Sequence, residues 1–83
     1  MQDQGKQPKP EPAIKRALGH PKRLEIFGYL TQKGGADETE LVEVLGLTAP
    51  TVRYHLSVLE DADLIANVKD RGLGSTDRYV AAA

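Results

Sequence analysis

Cysteine is absent from the 83 residues, which excludes a disulfide framework and any thiolate metal site and is compatible with a reducing cytoplasm. No apolar run approaches the length needed to cross a bilayer. The first twelve residues, MQDQGKQPKPEP, lack the apolar stretch of a secretory leader, and Met1 is their one large apolar side chain. No nucleophile–base pair, phosphate-cradling loop or ligand cluster is visible, which points away from an enzyme. His20 and His55 each lack acid or cysteine neighbours at ligand spacing, so neither a metal nor another cofactor is expected. An excess of positive charge is missing too. The net charge of −1 is unlike that of a protein built to hold nucleic acid, but its distribution is uneven. Residues 1–36 carry +4, residues 37–63 carry −6 and residues 64–83 carry +1.

What is present fits one small domain with an ordinary composition, 40% hydrophobic and 28% charged. The stretch that organises it is LVEVLGLTAPTVRYHLSVLEDADLI, Leu41 to Ile65. Leu41, Val44 and Leu45 are spaced for one face of a short helix, which Gly46 stops with a sharp turn. Leu47 plugs the turn. Thr48 sits where a helix N-cap belongs, and Pro50 falls in the first turn, where its missing N–H breaks no helical bond. Helix, glycine turn and capped helix at this length form a helix-turn-helix pattern. In the second helix, about 49–62, Val52, Leu59 and Ala62 share the inner face, flanked by Leu56 and Val58. His55 projects toward that side, which suits a packed histidine bonded to a nearby backbone group. Ala49, Pro50, Arg53, Tyr54 and Ser57 share the outer face. A face that served solubility alone would more often carry Glu and Lys four residues apart; Arg, Tyr and Ser near a helix start suit a groove edge.

Ahead of this unit, residues 1–12 read as a disordered arm and residues 13–83 as the folded domain. PAIKRAL, from Pro12 to Leu18, is a short first helix with Ile14, Ala17 and Leu18 on one face. A second helix opens at His20-Pro21, with Leu24, Phe27 and Leu30 as its core stripe and Ile26 and Tyr29 at the flanks. Arg23 inside it reads as structural, paired with an acid. Gly34-Gly35 ends the helix, and Asp37 with Glu40 makes a D-x-x-E capping pair before Leu41. Behind the unit, LIANVK (64–69) and DRYVAA (77–82) are strand candidates joined by the glycine-rich DRGLGST. The expected class is mainly α with a small β-hairpin: about four helices plus a two- to three-stranded wing, about 64–82. Lys69, Arg71 and Arg78 on that wing are placed to reach phosphates or a minor groove.

ALGHPKRLEIFGYL, from Ala17 to Leu30, resembles the opening helix of ArsR-type winged-helix regulators, whose pattern is roughly L-x-H/D-P-x-R-L-x-I-L-x-x-L. TELVEVLGLTAPTVRYHLSVLEDADLI resembles their helix-turn-helix, with the turn, the T-V pair, the H-L pair and the closing L-I in order. The resemblance runs from about Ala13 to Val80. It implies a winged helix-turn-helix regulator, cytoplasmic and nucleoid-associated, that binds promoter DNA as a dimer. Metal-sensing members place Cys in or near the helix before the recognition helix, or His and Asp on a final helix. Neither set is found here. The family's final helix has no counterpart before Ala83, so a weak homodimer through Ala13–Leu18 is expected.

On this reading the DNA-binding residues are Thr48, Ala49, Pro50, Thr51, Arg53, Tyr54 and Ser57 on the recognition helix and Lys69, Arg71 and Arg78 on the wing. Arg53 is the candidate for bidentate contact with guanine, and Thr51, Tyr54 and Ser57 for phosphates or flanking bases. The alternative is a winged-helix protein–protein interaction module that does not bind DNA. The acidic run Asp37–Glu43 and the cluster Glu60-Asp61-Asp63 would then meet a basic partner.

Overall fold

The computed structural model describes residues 11–69 and 77–82. Four helices precede one hairpin: α1 (Glu11–Leu18), α2 (Pro21–Lys33), α3 (Glu38–Leu45), α4 (Ala49–Asp61), β1 (Ile65–Lys69) and β2 (Asp77–Ala81). Of the arm expected over residues 1–12, residues 1–10 lie outside the described residues, as does the hairpin tip with Arg71, and Glu11 and Pro12 form the start of α1.

Helix boundaries follow the local chemistry read from the sequence. Pro21 occupies the first turn of α2, where it needs no N–H partner. The Asp37 carboxylate accepts the Glu40 N–H at 2.8 Å and caps α3. The Glu40 side chain does not reciprocate; its carboxylate accepts the Tyr29 hydroxyl and ties α3 to α2. That bond is the first cause of the upward shift in the Tyr29 pKa. Thr48 caps α4 by accepting the Thr51 N–H, and its hydroxyl also donates to the Thr51 hydroxyl at 2.9 Å. Gly46 ends α3 at φ 69°, in the left-handed region that lets the chain turn at once into α4.

The core is one cluster drawn from all six elements and the α2–α3 connection. Ile26, Leu30, Leu41, Val52, Leu56 and Leu59 are its largest fully buried side chains, joined by Ala17, Ala36, Ala62, Ile65 and Tyr79. Burying one such aliphatic side chain contributes about 1.5–3 kcal/mol. Two helices differ from the expected facing. In α2 the inner positions are Arg23, Ile26 and Leu30; Leu24 is 49% exposed, and Phe27 and Tyr29 are half-buried. The inner face is shifted toward Arg23, which turns inward to bond polar groups of α1 and α4, while Leu30 keeps its expected place. In α3, Val44 is exposed, and Leu41 carries the contact with help from half-buried Val42 and Leu45.

β1 and β2 pair antiparallel, with Ile65 opposite Ala81 and Lys69 opposite Asp77. A third strand is reduced to a single bridge: the Ala36 N–H donates to the Tyr79 carbonyl at 3.0 Å and the Tyr79 N–H to the Ala36 carbonyl at 2.8 Å. Gly35 makes this approach possible. Its φ is 135°, and a Cβ there would meet the Arg78 guanidinium at 3.0 Å and Val80 at 3.1 Å.

Candidate nucleic-acid interface

The Thr48 cap and Pro50 fix where α4 begins, and the inner face fixes its rotation. Val52, His55, Leu56 and Leu59 are buried. The opposite face is therefore presented outward: Pro50, Thr51, Arg53, Tyr54 and Ser57 are exposed, and Ala49 is half-buried. Tyr54 is 59% exposed, an unusual share for a ring of that size. The Ser57 hydroxyl donates to the Tyr54 carbonyl at 2.8 Å, which leaves its oxygen free to accept.

Arg53 is the one cation on α4, and a carboxylate holds it. Its Nε donates to Glu38 Oε1 at 3.3 Å, across from the first residue of α3. The pair is half in solvent, with side chains 56% and 33% exposed. Tyr79 of β2 lies within the field of the same groups. Burial first, then Asp77, Glu60 and Glu38, push its phenol pKa up, while Arg53 pulls it down. The acidity of residues 37–63 thus reaches the cation that the sequence singles out through Glu38. Glu38 was not among the expected site residues, since nothing in the spacing of residues 38 and 53 ties them before α3 and α4 are set at their angle.

Behind α4 lies a second polar group. The Arg23 Nε donates to His55 Nδ1 at 3.2 Å, and one Nη donates to the Arg16 and Ala17 carbonyls at 3.3 and 3.4 Å. A structural role for Arg23 holds, but its partners are an imidazole and the last carbonyls of α1, not an acid. A guanidinium suits that end of a helix, where unpaired carbonyls gather negative potential. His55 is packed as expected, although it accepts from a side chain instead of bonding the backbone. The Arg23 Cζ also stands 5.7 Å from the Tyr54 ring centroid, and His20 meets His55 edge-on at 4.7 Å. Burial, followed by the Arg23 and His20 charges, lowers the His55 pKa. Among the described residues no group of three or more His, Cys, Asp or Glu side chains is arranged to hold a metal.

The hairpin follows α4 directly. The turn is a Schellman arrangement, with Leu64 N–H to the Leu59 carbonyl at 3.0 Å and Asp63 N–H to the Glu60 carbonyl at 2.9 Å. Asp63 takes the left-handed position at φ 61°. Arg78 is exposed on β2, its guanidinium lying across Gly35; Lys69 ends β1 opposite Asp77. No helix among the described residues is long and apolar enough to cross a membrane.

A family model described as a helix-turn-helix domain matches residues 18–68. The chain is 36% identical over 58 residues to the HTH-type transcriptional regulator YgaV of Escherichia coli (strain K12), covering 70% of this chain and 59% of that protein. It is 42% identical over 50 residues to the arsenical resistance operon repressor of Bacillus subtilis (strain 168), covering 60% and 48%. The chain therefore spans about half to three-fifths of the length of these curated relatives. Among solved structures it superposes on the ArsR family transcriptional regulator RHA00566 with a TM-score of 0.71 at 27% identity, covering 84% of this chain and 72% of that one.

Proposed function

We propose, because this chain belongs to the ArsR-type winged helix-turn-helix family, that it is a sequence-specific DNA-binding transcriptional regulator. The observation that carries the reading is the outer face of α4. Thr51, Arg53, Tyr54 and Ser57 stand exposed together on a helix whose other face is locked into the core. Such a helix fits the major groove with its N-terminal half at base edges. Arg53 then reads guanine, and Thr51, Tyr54 and Ser57 touch phosphates or flanking bases. Thr48, Ala49 and Pro50 bring the start of the helix against the sugar–phosphate backbone, where the positive end of the helix dipole favours phosphate. Lys69, Arg71 and Arg78 extend the contact along the wing and supply sequence-independent attraction.

The domain on this reading is 13–83, preceded by the arm 1–12, and it acts on the nucleoid in the cytoplasm without a metal. It pairs weakly through α1. Ala17 is sealed in the core, so that surface consists of Ile14 and Leu18, both half-buried. A two-fold pair would set half-sites about 34–36 Å apart and join two modest contacts into one useful affinity. Mobility shift against duplex DNA over a salt series, followed by selection from random-sequence duplexes, tests the function. Binding that weakens with salt and enriches a common sequence is the expected result. A chain that shifts no duplex at low salt would overturn it.

A further inference from the structure

We infer that Glu38 is a specificity-determining residue: its carboxylate holds the Arg53 guanidinium so that one edge alone remains to read a base. The inference rests on the DNA-binding reading and adds to it a residue outside the recognition helix. The geometry is specific. Glu38 takes the Nε–H of Arg53 at 3.3 Å, and within the described residues neither Nη of Arg53 makes a hydrogen bond. A guanidinium can present two forks to guanine O6 and N7, one made by its two Nη groups and one by Nε with an Nη. Engagement of Nε removes the second. What remains is the end-on fork, aimed along the side chain away from α3.

Glu38 is itself fixed. It is the first residue of α3, next to the Asp37 cap, on a helix anchored by buried Leu41. A carboxylate at a helix N-terminus is favoured by the helix dipole, so it needs no separate support. Two elements thus place Arg53: α4 carries it and α3 holds it. A reading group held by a second side chain loses less freedom on binding and tolerates fewer wrong bases.

The competing idea is that Glu38 merely neutralises Arg53 and repels phosphate. Both ideas draw on the same exposed ion pair, so its strength does not choose between them. The two ideas separate experimentally, because Gln keeps an oxygen to accept the Nε–H while Ala keeps neither the acceptor nor the charge. Affinities of wild type, Glu38→Gln, Glu38→Ala and Arg53→Ala are measured on the selected duplex, on duplexes changed at single base pairs, and on random DNA. At the base pair whose preference Arg53→Ala abolishes, Glu38→Ala should lose about threefold in discrimination, the scale an exposed ion pair can supply, while Glu38→Gln retains most of it. Both Glu38 variants should bind random DNA alike and more tightly than wild type. Equal discrimination by Glu38→Gln and Glu38→Ala, or full discrimination in Glu38→Ala, would overturn the inference while leaving the DNA-binding reading intact. A wild type with no duplex binding would overturn both. The hydrogen bond has a readout without DNA: the Arg53 Nε–H proton resonance should exchange faster with water in Glu38→Ala than in Glu38→Gln. Equal exchange in the two would also overturn the inference.

Discussion

Arg23 is a buried cation that no carboxylate among the described residues neutralises, and His55 is the reason it can stay. A neutral imidazole with its lone pair at Nδ1 accepts from the guanidinium, whereas an imidazolium would face it with a second positive charge. Burial lowers the His55 pKa first, and the Arg23 and His20 charges add to it. The groups around His55 from α2 and the α1–α2 turn are therefore both basic, and Tyr54 is the aromatic neighbour on its own helix. The sign follows from linkage. Above the unfolded histidine value of about 6.5 both states are neutral at this site, and stability is full. As pH falls below it, the unfolded chain binds a proton that folded His55 resists, so stability declines until the lower folded pKa is passed. Urea unfolding at a series of pH values between about 7.5 and 5 should show this decline. His55→Gln, which keeps an acceptor but does not titrate, should make the curve shallower. Identical slopes for the two proteins would show that His55 does not carry the effect.

At the scale of elements, much was legible because the signals are local. Pro21, Asp37, Thr48, Pro50 and Gly46 mark starts and stops through bonds made within a few residues, and each boundary falls where that chemistry puts it. The inner face of α4 followed from periodicity. What the sequence did not disclose depends on partners distant in the chain. Arg23 turns inward on α2 because α1 and α4 supply its acceptors, and Ala36 pairs with Tyr79 across more than forty positions. Glu38 beside Arg53 is of the same kind. The end of α4 falls within a residue of the expected 62, although the usual glycine marker is absent: the left-handed position of its Schellman turn is held by Asp63. That residue offers a test. Asp63→Gly relieves the strain of a side chain at φ 61° and should raise stability by about 0.5–1 kcal/mol, seen as a higher thermal midpoint. A lowered midpoint would mean that the Asp63 carboxylate contributes more than its backbone conformation costs.

For the whole molecule, charge and assembly are linked. One copy presents a single recognition helix whose lone cation is paired with a carboxylate, so electrostatic attraction is modest and a second copy has much to add. Sedimentation equilibrium of wild type and Ile14→Glu addresses the pairing proposed through α1. Wild type should shift toward dimer as concentration rises, and Ile14→Glu should stay monomeric with an unchanged thermal midpoint. Wild type that remains monomeric at high concentration and occupies a non-palindromic site one-to-one would rule the dimer out.

The bridge at Ala36 also sets how the molecule opens. Its two hydrogen bonds tie the hairpin to the connection between α2 and α3, while the peptide chain ties it to α4. A hairpin held at two such points is expected to open together with the helices and not as a separate flap. Amide hydrogens report this directly, because both donors of the bridge are backbone N–H groups released by a single opening event. In native-state deuterium exchange the Ala36 and Tyr79 amides should therefore share one opening free energy, and destabilising α3 by Leu41→Ala should lower both together. Ala36 and Tyr79 amides that exchange together but do not respond to Leu41→Ala would show instead that the wing unfastens alone, with the rest of the domain still closed.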